Sequence, residues 1–186
     1  MRPRQRILVL ASLAISLWPW LRPSISLADE IAQRIVVPPA WQGAYDFGYA
    51  PAIRVGDWVI LSGIPAAGEG TSEDKIRRMY TRAEELLKAS GATIEDVVEL
   101  TTFHLEPDGT AEFRAEFDLY MPIHRAFFGE HRPAWSAVGT SALLAHGAVV
   151  EMRVVAVAGS GQARQVVPRI DRATEPATGD DGREER

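Results

Sequence analysis

Residues 72–105 read SEDKIRRMYTRAEELLKASGATIEDVVELTTFHL, and within this stretch one periodicity gives way to another. Ile76, Met79, Tyr80, Ala83, Leu86 and Leu87 recur at spacings of three and four, which makes one apolar stripe along a helix. Thr71 or Ser72 is placed to cap its start, and Gly91 to stop it. From Val97 to Leu105 the residues are β-branched and apolar, the composition of a strand. A striped helix running straight into a strand predicts a helix layer packed on a sheet.

The flanking sequence extends the pattern in both directions. Upstream, residues 48–54 read as a short strand ending in the turn Val55-Gly56-Asp57. Trp58-Val59-Ile60-Leu61 reads as a buried strand, closed by Ser62-Gly63-Ile64-Pro65. Downstream, Phe113, Phe117, Tyr120, His124 and Phe127 share a second helical face. Pro122 interrupts it and favours a kink or a restart, and Gly129 ends it. Residues 134–139 and 149–158 are the last strands. In the latter, Val150, Met152, Val154 and Ala156 face one side, while Val149, Glu151, Arg153, Val155 and Val157 face the other. Only the two helices can cover the apolar side, which predicts an α+β fold, ββαβαββ, with both helices on one face of the sheet.

Length and composition set the outer limits. The 186 residues suit one domain, and the absence of cysteine excludes disulfides, thiolate zinc sites and cysteine nucleophiles. Residues 1–28 carry Arg2, Arg4, Arg6 and Arg22, an apolar run over 7–17, and Ser26-Leu27-Ala28 ahead of Asp29. That order is a secretory signal cleaved after Ala28, giving a secreted or periplasmic protein. The alternative is a retained anchor, for which the run is shorter than the roughly 20 apolar residues of a membrane span. The formal charge of −5 becomes −9 without residues 1–28, since four of the 20 basic residues and none of the 25 acidic ones lie there. Such a domain repels phosphate backbones, so nucleic acid is not an expected partner. Residues 29–47 read as a leader with a Pro38-Pro39 stop, 48–159 as the domain, and 160–186 as a polar, disordered tail.

Several landmarks fall in a telling order: Tyr49, then Arg54-Val55-Gly56-Asp57, then Ser62-Gly63, then residues 90–98 (SGATIEDVV), then Phe127-Phe128, Pro133-Ala134-Trp135-Ser136 and Val150-Glu151-Met152. Over residues 49–158 this set resembles the Rid/YjgF/UK114 family of reactive intermediate deaminases. The resemblance implies a chorismate-mutase-like fold and a homotrimer with ligand clefts between subunits, where imines and enamines are hydrolysed to ammonia and a keto acid. It also implies cleft roles for Tyr49, Ser62, Gly63 and Glu151. Glu151 would orient water, and backbone around Gly63 would offer donors to a carboxylate. Where the family has Pro-Ala-Arg-Ser, this chain has Trp135 in the arginine's place. Indole donates one neutral hydrogen bond and cannot copy a bidentate guanidinium clamp. Met121 and His124 stand where the family pattern has asparagine and tyrosine, and residues 143–147 lack the family's proline. The chain therefore resembles the subgroups that lack the arginine.

Each of these residues also has a plainer reading. Glu151 shares a strand face with Arg153 and can form an ion pair there. Trp135 either stacks on a ligand or packs at an interface, and Tyr49 either donates to a ligand or packs with its hydroxyl at the surface. Arg132 is either a displaced guanidinium or solvated. Ser62 lies in no G-x-S-x-G elbow and reads as a small residue after a strand. His104, His124, His131 and His146 lie in separate segments without a ligand spacing, so no metal or other cofactor is expected. Two functions remain. One is a trimeric imine or enamine hydrolase for a small molecule, with Glu151 as its catalytic carboxylate and Tyr49, Ser62, Gly63 and Trp135 around the substrate. The other is a non-catalytic binding or regulatory trimer.

Overall fold

The computed structural model describes residues 31–167. The segment read as an export signal, and the tail beyond residue 167, lie outside that range. Six strands form one sheet: β1 (Gln33–Val36), β2 (Ala52–Val55), β3 (Trp58–Pro65), β4 (Val97–Leu105), β5 (Ala134–Thr140) and β6 (Val150–Val157). Three α-helices accompany them: α1 (Gln42–Phe47), α2 (Ser72–Ala89) and α3 (Thr110–Phe128). Strands lie in the order β1-β2-β3-β6-β4-β5. β2 and β3 form a hairpin across Gly56-Asp57, and β6 runs antiparallel to both β3 and β4. β4 and β5 are parallel, a geometry that needs a crossover, which α3 supplies.

The predicted ββαβαββ order is present from β2 onward. The segment read as a leader adds β1, paired with β2 as an edge strand, and α1, which turns the chain into Tyr49. Both bury little, as an edge strand and a short surface helix do, and so leave no core-facing periodicity in the sequence.

α2 forms for the reasons its sequence gives. Thr71 and Asp74 make a reciprocal capping box, with Thr71 Oγ1 accepting from the Asp74 N–H and Asp74 Oδ2 accepting from the Thr71 N–H at 2.9 Å. Its stripe of Ile76, Met79, Tyr80, Ala83, Leu86 and Leu87 is fully buried. Each larger side chain in that stripe contributes roughly 1.5–3 kcal/mol relative to exposure. The helix ends in a Schellman arrangement, with Ala92 N–H donating to Leu87 O (2.9 Å) and Gly91 N–H to Lys88 O (3.1 Å). Gly91 has φ +77°, where a Cβ would be strained.

The core lies between the helices and one sheet face, where Val59, Leu61 and Ile64 of β3 meet Val150, Met152, Val154 and Ala156 of β6. Three sequence expectations change here. Trp58 and Ile60 alternate away from the core and are 55% and 37% exposed, so that half of β3 is not buried. Ser62-Gly63-Ile64-Pro65 does not close β3. The strand continues to Pro65 through a bulge, since Leu61 pairs with Val154 and Ile64 with Met152. Pro122 does not interrupt α3, which runs unbroken around it with Tyr120, Ile123, His124 and Phe128 buried.

The segment from Ser160 begins pinned rather than solvated. Gly161 N–H donates to Asp96 Oδ1 (3.0 Å). Arg164 Nη1 donates to His131 Nδ1 (2.8 Å), while His131 Nε2–H donates to Val97 O (2.6 Å). Among the described residues no helix is long and apolar enough to cross a membrane.

Candidate functional site

Four of the five residues singled out in the sequence meet at one open cleft of about 700 Å³: Tyr49, Ser62, Gly63 and Glu151. Each arrives by a local rule. Tyr49 follows α1, whose C-cap Gly48 sits at φ +124° and donates to Tyr45 O at 3.0 Å. Tyr49 N–H then donates to Ala44 O (3.3 Å), which holds the residue against its own helix. Glu151 projects from β6 on the face away from the core, as period-two alternation requires. Ser62 and Gly63 are the two β3 residues that oppose the single β6 residue Arg153. Bulges of this kind re-aim side chains at sites.

Gly63 and Glu151 fit together closely. A Cβ built on Gly63 would overlap the Glu151 carboxylate, so the missing side chain makes the space that the carboxylate fills. Glu151 is half-buried, and that burial raises its carboxyl pKa above the ordinary value. A carboxylate of raised pKa is a stronger base towards a nearby water. The alternative of an ion pair with Arg153 is not realised within the subunit, where Arg153 Nη1 donates to Glu99 Oε1 at 3.0 Å. Ser62 is not a nucleophile in this setting, since its hydroxyl donates to Ala50 O (2.7 Å).

Trp135 lies outside this cleft's lining in the subunit. Its side chain is on the helix side of β5, stacked on His124 and packed beside Phe117. Its indole N–H donates to Thr102 Oγ1 (3.1 Å). Behind it runs a polar chain in which, for a neutral imidazole, Thr102 donates to His104 Nε2 (2.9 Å) and His104 Nδ1–H donates to Glu116 Oε1 (2.8 Å). His124 belongs to a second such cluster, with Tyr80 OH 3.0 Å from its Nδ1 and 2.7 Å from Tyr120 OH. Burial first, and then the guanidiniums of Arg132 and Arg125, lower its pKa to about 4. Arg132 itself donates to Gly129 O (2.6 Å) and His131 O (2.9 Å).

The cleft also has walls the sequence reading did not name. Gly43, Ala44 and Phe47 come from α1, Pro65 from β3, and Leu144 and Ala145 from the β5–β6 connection. Phe47 and Tyr49 meet edge to face, with ring centroids 6.2 Å apart. The spacing Tyr45, Phe47, Tyr49 was a usable signal, because a solvated leader rarely carries three aromatics in five residues.

A helix-backed sheet with a half-buried carboxylate at a bulge defines an α+β protein with an open cleft. The family model described as Endoribonuclease L-PSP matches residues 44–158, and the chain belongs to that family. It is 29% identical over 133 residues to the RutC family protein YjgH of Escherichia coli (strain K12), covering 68% of this chain and 96% of that protein. A solved structure of Rv2704 from Mycobacterium tuberculosis, a member of the YjgF/YER057c/UK114 family, is 26% identical. It superposes with a TM-score of 0.58 over 68% of this chain and 99% of its own. RidA from the Antarctic bacterium Psychrobacter sp. PAMC 21119, at 23% identity and a TM-score of 0.52 over 59% of this chain and 88% of its own, shares the fold. Membership of this family supports a small-molecule-binding or deaminase-like role.

Proposed function

We propose that the protein is an exported homotrimer whose cleft hydrolyses a carbon–nitrogen double bond in a small molecule, with Glu151 as general base. The observation that carries this reading is the Glu151 carboxylate itself, half-buried in an open cleft and seated over Gly63. Export is supported by the residue order in 1–28, and intact mass of protein recovered outside the cytoplasm tests it by starting at Asp29. The homotrimer is supported by family membership and by Trp58, Ile60 and Val138, exposed on the helix-free sheet face.

In this reading a water molecule attacks the carbon of a protonated imine. The new C–O bond forms as the C=N π pair moves to nitrogen, and Glu151 accepts one proton from the water. Glu151 passes that proton to nitrogen. The C–N bond then breaks as the hydroxyl oxygen closes the carbonyl, and the hydroxyl proton travels through Glu151 to the departing ammonia. The imine cation and water have become a carbonyl compound and ammonium.

The test is a trapping assay. Imines made in situ by amino-acid and amine oxidases partition between semicarbazide and hydrolysis, and the protein should divert at least one class towards free carbonyl product. Glu151→Gln should lose most of that effect. If no imine of any class is diverted, the catalytic reading fails and a binding protein remains.

A further inference from the structure

We propose that this cleft selects a carboxylate-free iminium cation with an apolar substituent, the imine of a simple amine, over a 2-imino acid. The proposal rests on the reading of the cleft as a site of C=N hydrolysis, and it specifies the substrate class.

The charge of the lining is the first argument. Among the described residues, Glu151 is the one charged side chain that lines the cleft, and no Lys, Arg or His joins it. The nearest cation along its own strand face, Arg153, is held by Glu99. The Ser62 hydroxyl in the lining donates inward to Ala50 O. A ligand carboxylate would enter beside a like charge with no cation among the described lining residues to offset it, whereas an iminium would meet its opposite.

The second argument is the residue at the family's arginine position. Trp135 is anchored on the helix side by Thr102 and His124, so its one donor is already used. The third is the walls. Phe47 and Tyr49 form an aromatic corner, and Leu144 stands at the mouth, 85% exposed. Aromatic faces attract cations and cover apolar substituents, and neither property favours a carboxylate.

The test separates charge selection from catalysis. NMR titration of the full-length protein with two unreactive, shape-matched probes, 1-phenylethylammonium and 2-phenylpropionate, reads charge preference alone. The expected result is at least tenfold tighter binding of the ammonium, with the preference lost in Glu151→Gln. Equal or tighter binding of 2-phenylpropionate would overturn the proposal. The reactive pair is acetophenone imine, from 1-phenylethylamine and a flavin amine oxidase, and phenylglyoxylate imine, from D-phenylglycine and D-amino-acid oxidase. These differ only by methyl in place of carboxylate. The expected kcat/KM favours acetophenone imine at least tenfold, and a reversed order also overturns the proposal. If neither imine is accelerated while the ammonium preference holds, the hydrolase reading fails and the charge selection stands.

Discussion

Trp135 lies nearly parallel to His124, with ring centroids 4.4 Å apart and planes inclined by 12°. Both positions depart from the pattern of the family that the sequence resembles, and the departures fit each other. Indole on β5 and imidazole on α3 fill one slot between sheet and helix, and the indole N–H finds its acceptor in Thr102. The tryptophan is therefore part of how α3 is held.

Trp135→Ala should for that reason cost stability more than it changes the cleft. Emptying a partly buried aromatic site and leaving Thr102 Oγ1 without its donor should destabilise the fold by about 2–4 kcal/mol. Denaturant unfolding measures this. A loss under about 1 kcal/mol would show that the stacking contributes little.

Gly63→Ala should behave in the opposite way. The added Cβ meets the end of a flexible Glu151 side chain and not backbone, so the carboxylate can swing aside. Stability should fall by no more than about 1 kcal/mol, while turnover or ligand affinity falls tenfold or more as the base leaves its position. A thermal melt beside a rate measurement distinguishes this from simple unfolding.

His124 predicts a pH dependence with a definite sign. Its folded value of about 4 lies below the ordinary 6.5, so the unfolded chain takes up a proton between those limits and the folded protein does not. The stabilisation is complete above about pH 6.5 and is lost as the pH falls towards 4. Allowing for solvent screening, it amounts to roughly 2 kcal/mol. Urea midpoints at pH 7, 5.5 and 4 should fall accordingly, and in His124→Gln that part of the slope should flatten.

The oligomer is tested on the bare sheet face. Ile60 pairs with Val155 across β3 and β6 there, and Ile60→Glu leaves the core untouched. Light scattering should give three times the subunit mass for the natural sequence and the subunit mass for the variant. A natural protein that scatters as a single subunit would remove the trimer from the proposal.

How much of this the sequence disclosed depended on how much each segment buries. The stripe of α2 and the alternation in β6 were readable because their periodicities follow from facing one shared core. β1 and α1 were not, since an edge strand and a short surface helix leave no such imprint. The end of β3 was misread because glycine and proline usually punctuate, and a bulge uses the same residues without stopping the strand. Tyr49, Ser62, Gly63 and Glu151 were named as a group through resemblance, and the subunit brings them to one cleft. Their neighbour Leu144 comes from the β5–β6 connection, whose three-dimensional approach no local pattern encodes.

The bulge at Ser62-Gly63 has a consequence for chain length. Leu61 faces Val154 and Ile64 faces Met152, so β3 holds one residue more than its partner between the same two rungs. Deleting Gly63 would leave Ser62 opposite Arg153 and Ile64 still opposite Met152, with every inward side chain still inward. The scaffold, in other words, has a surplus of one, and the cleft is built on it. A deletion at this point would remove the site while leaving the rest of the sheet in step.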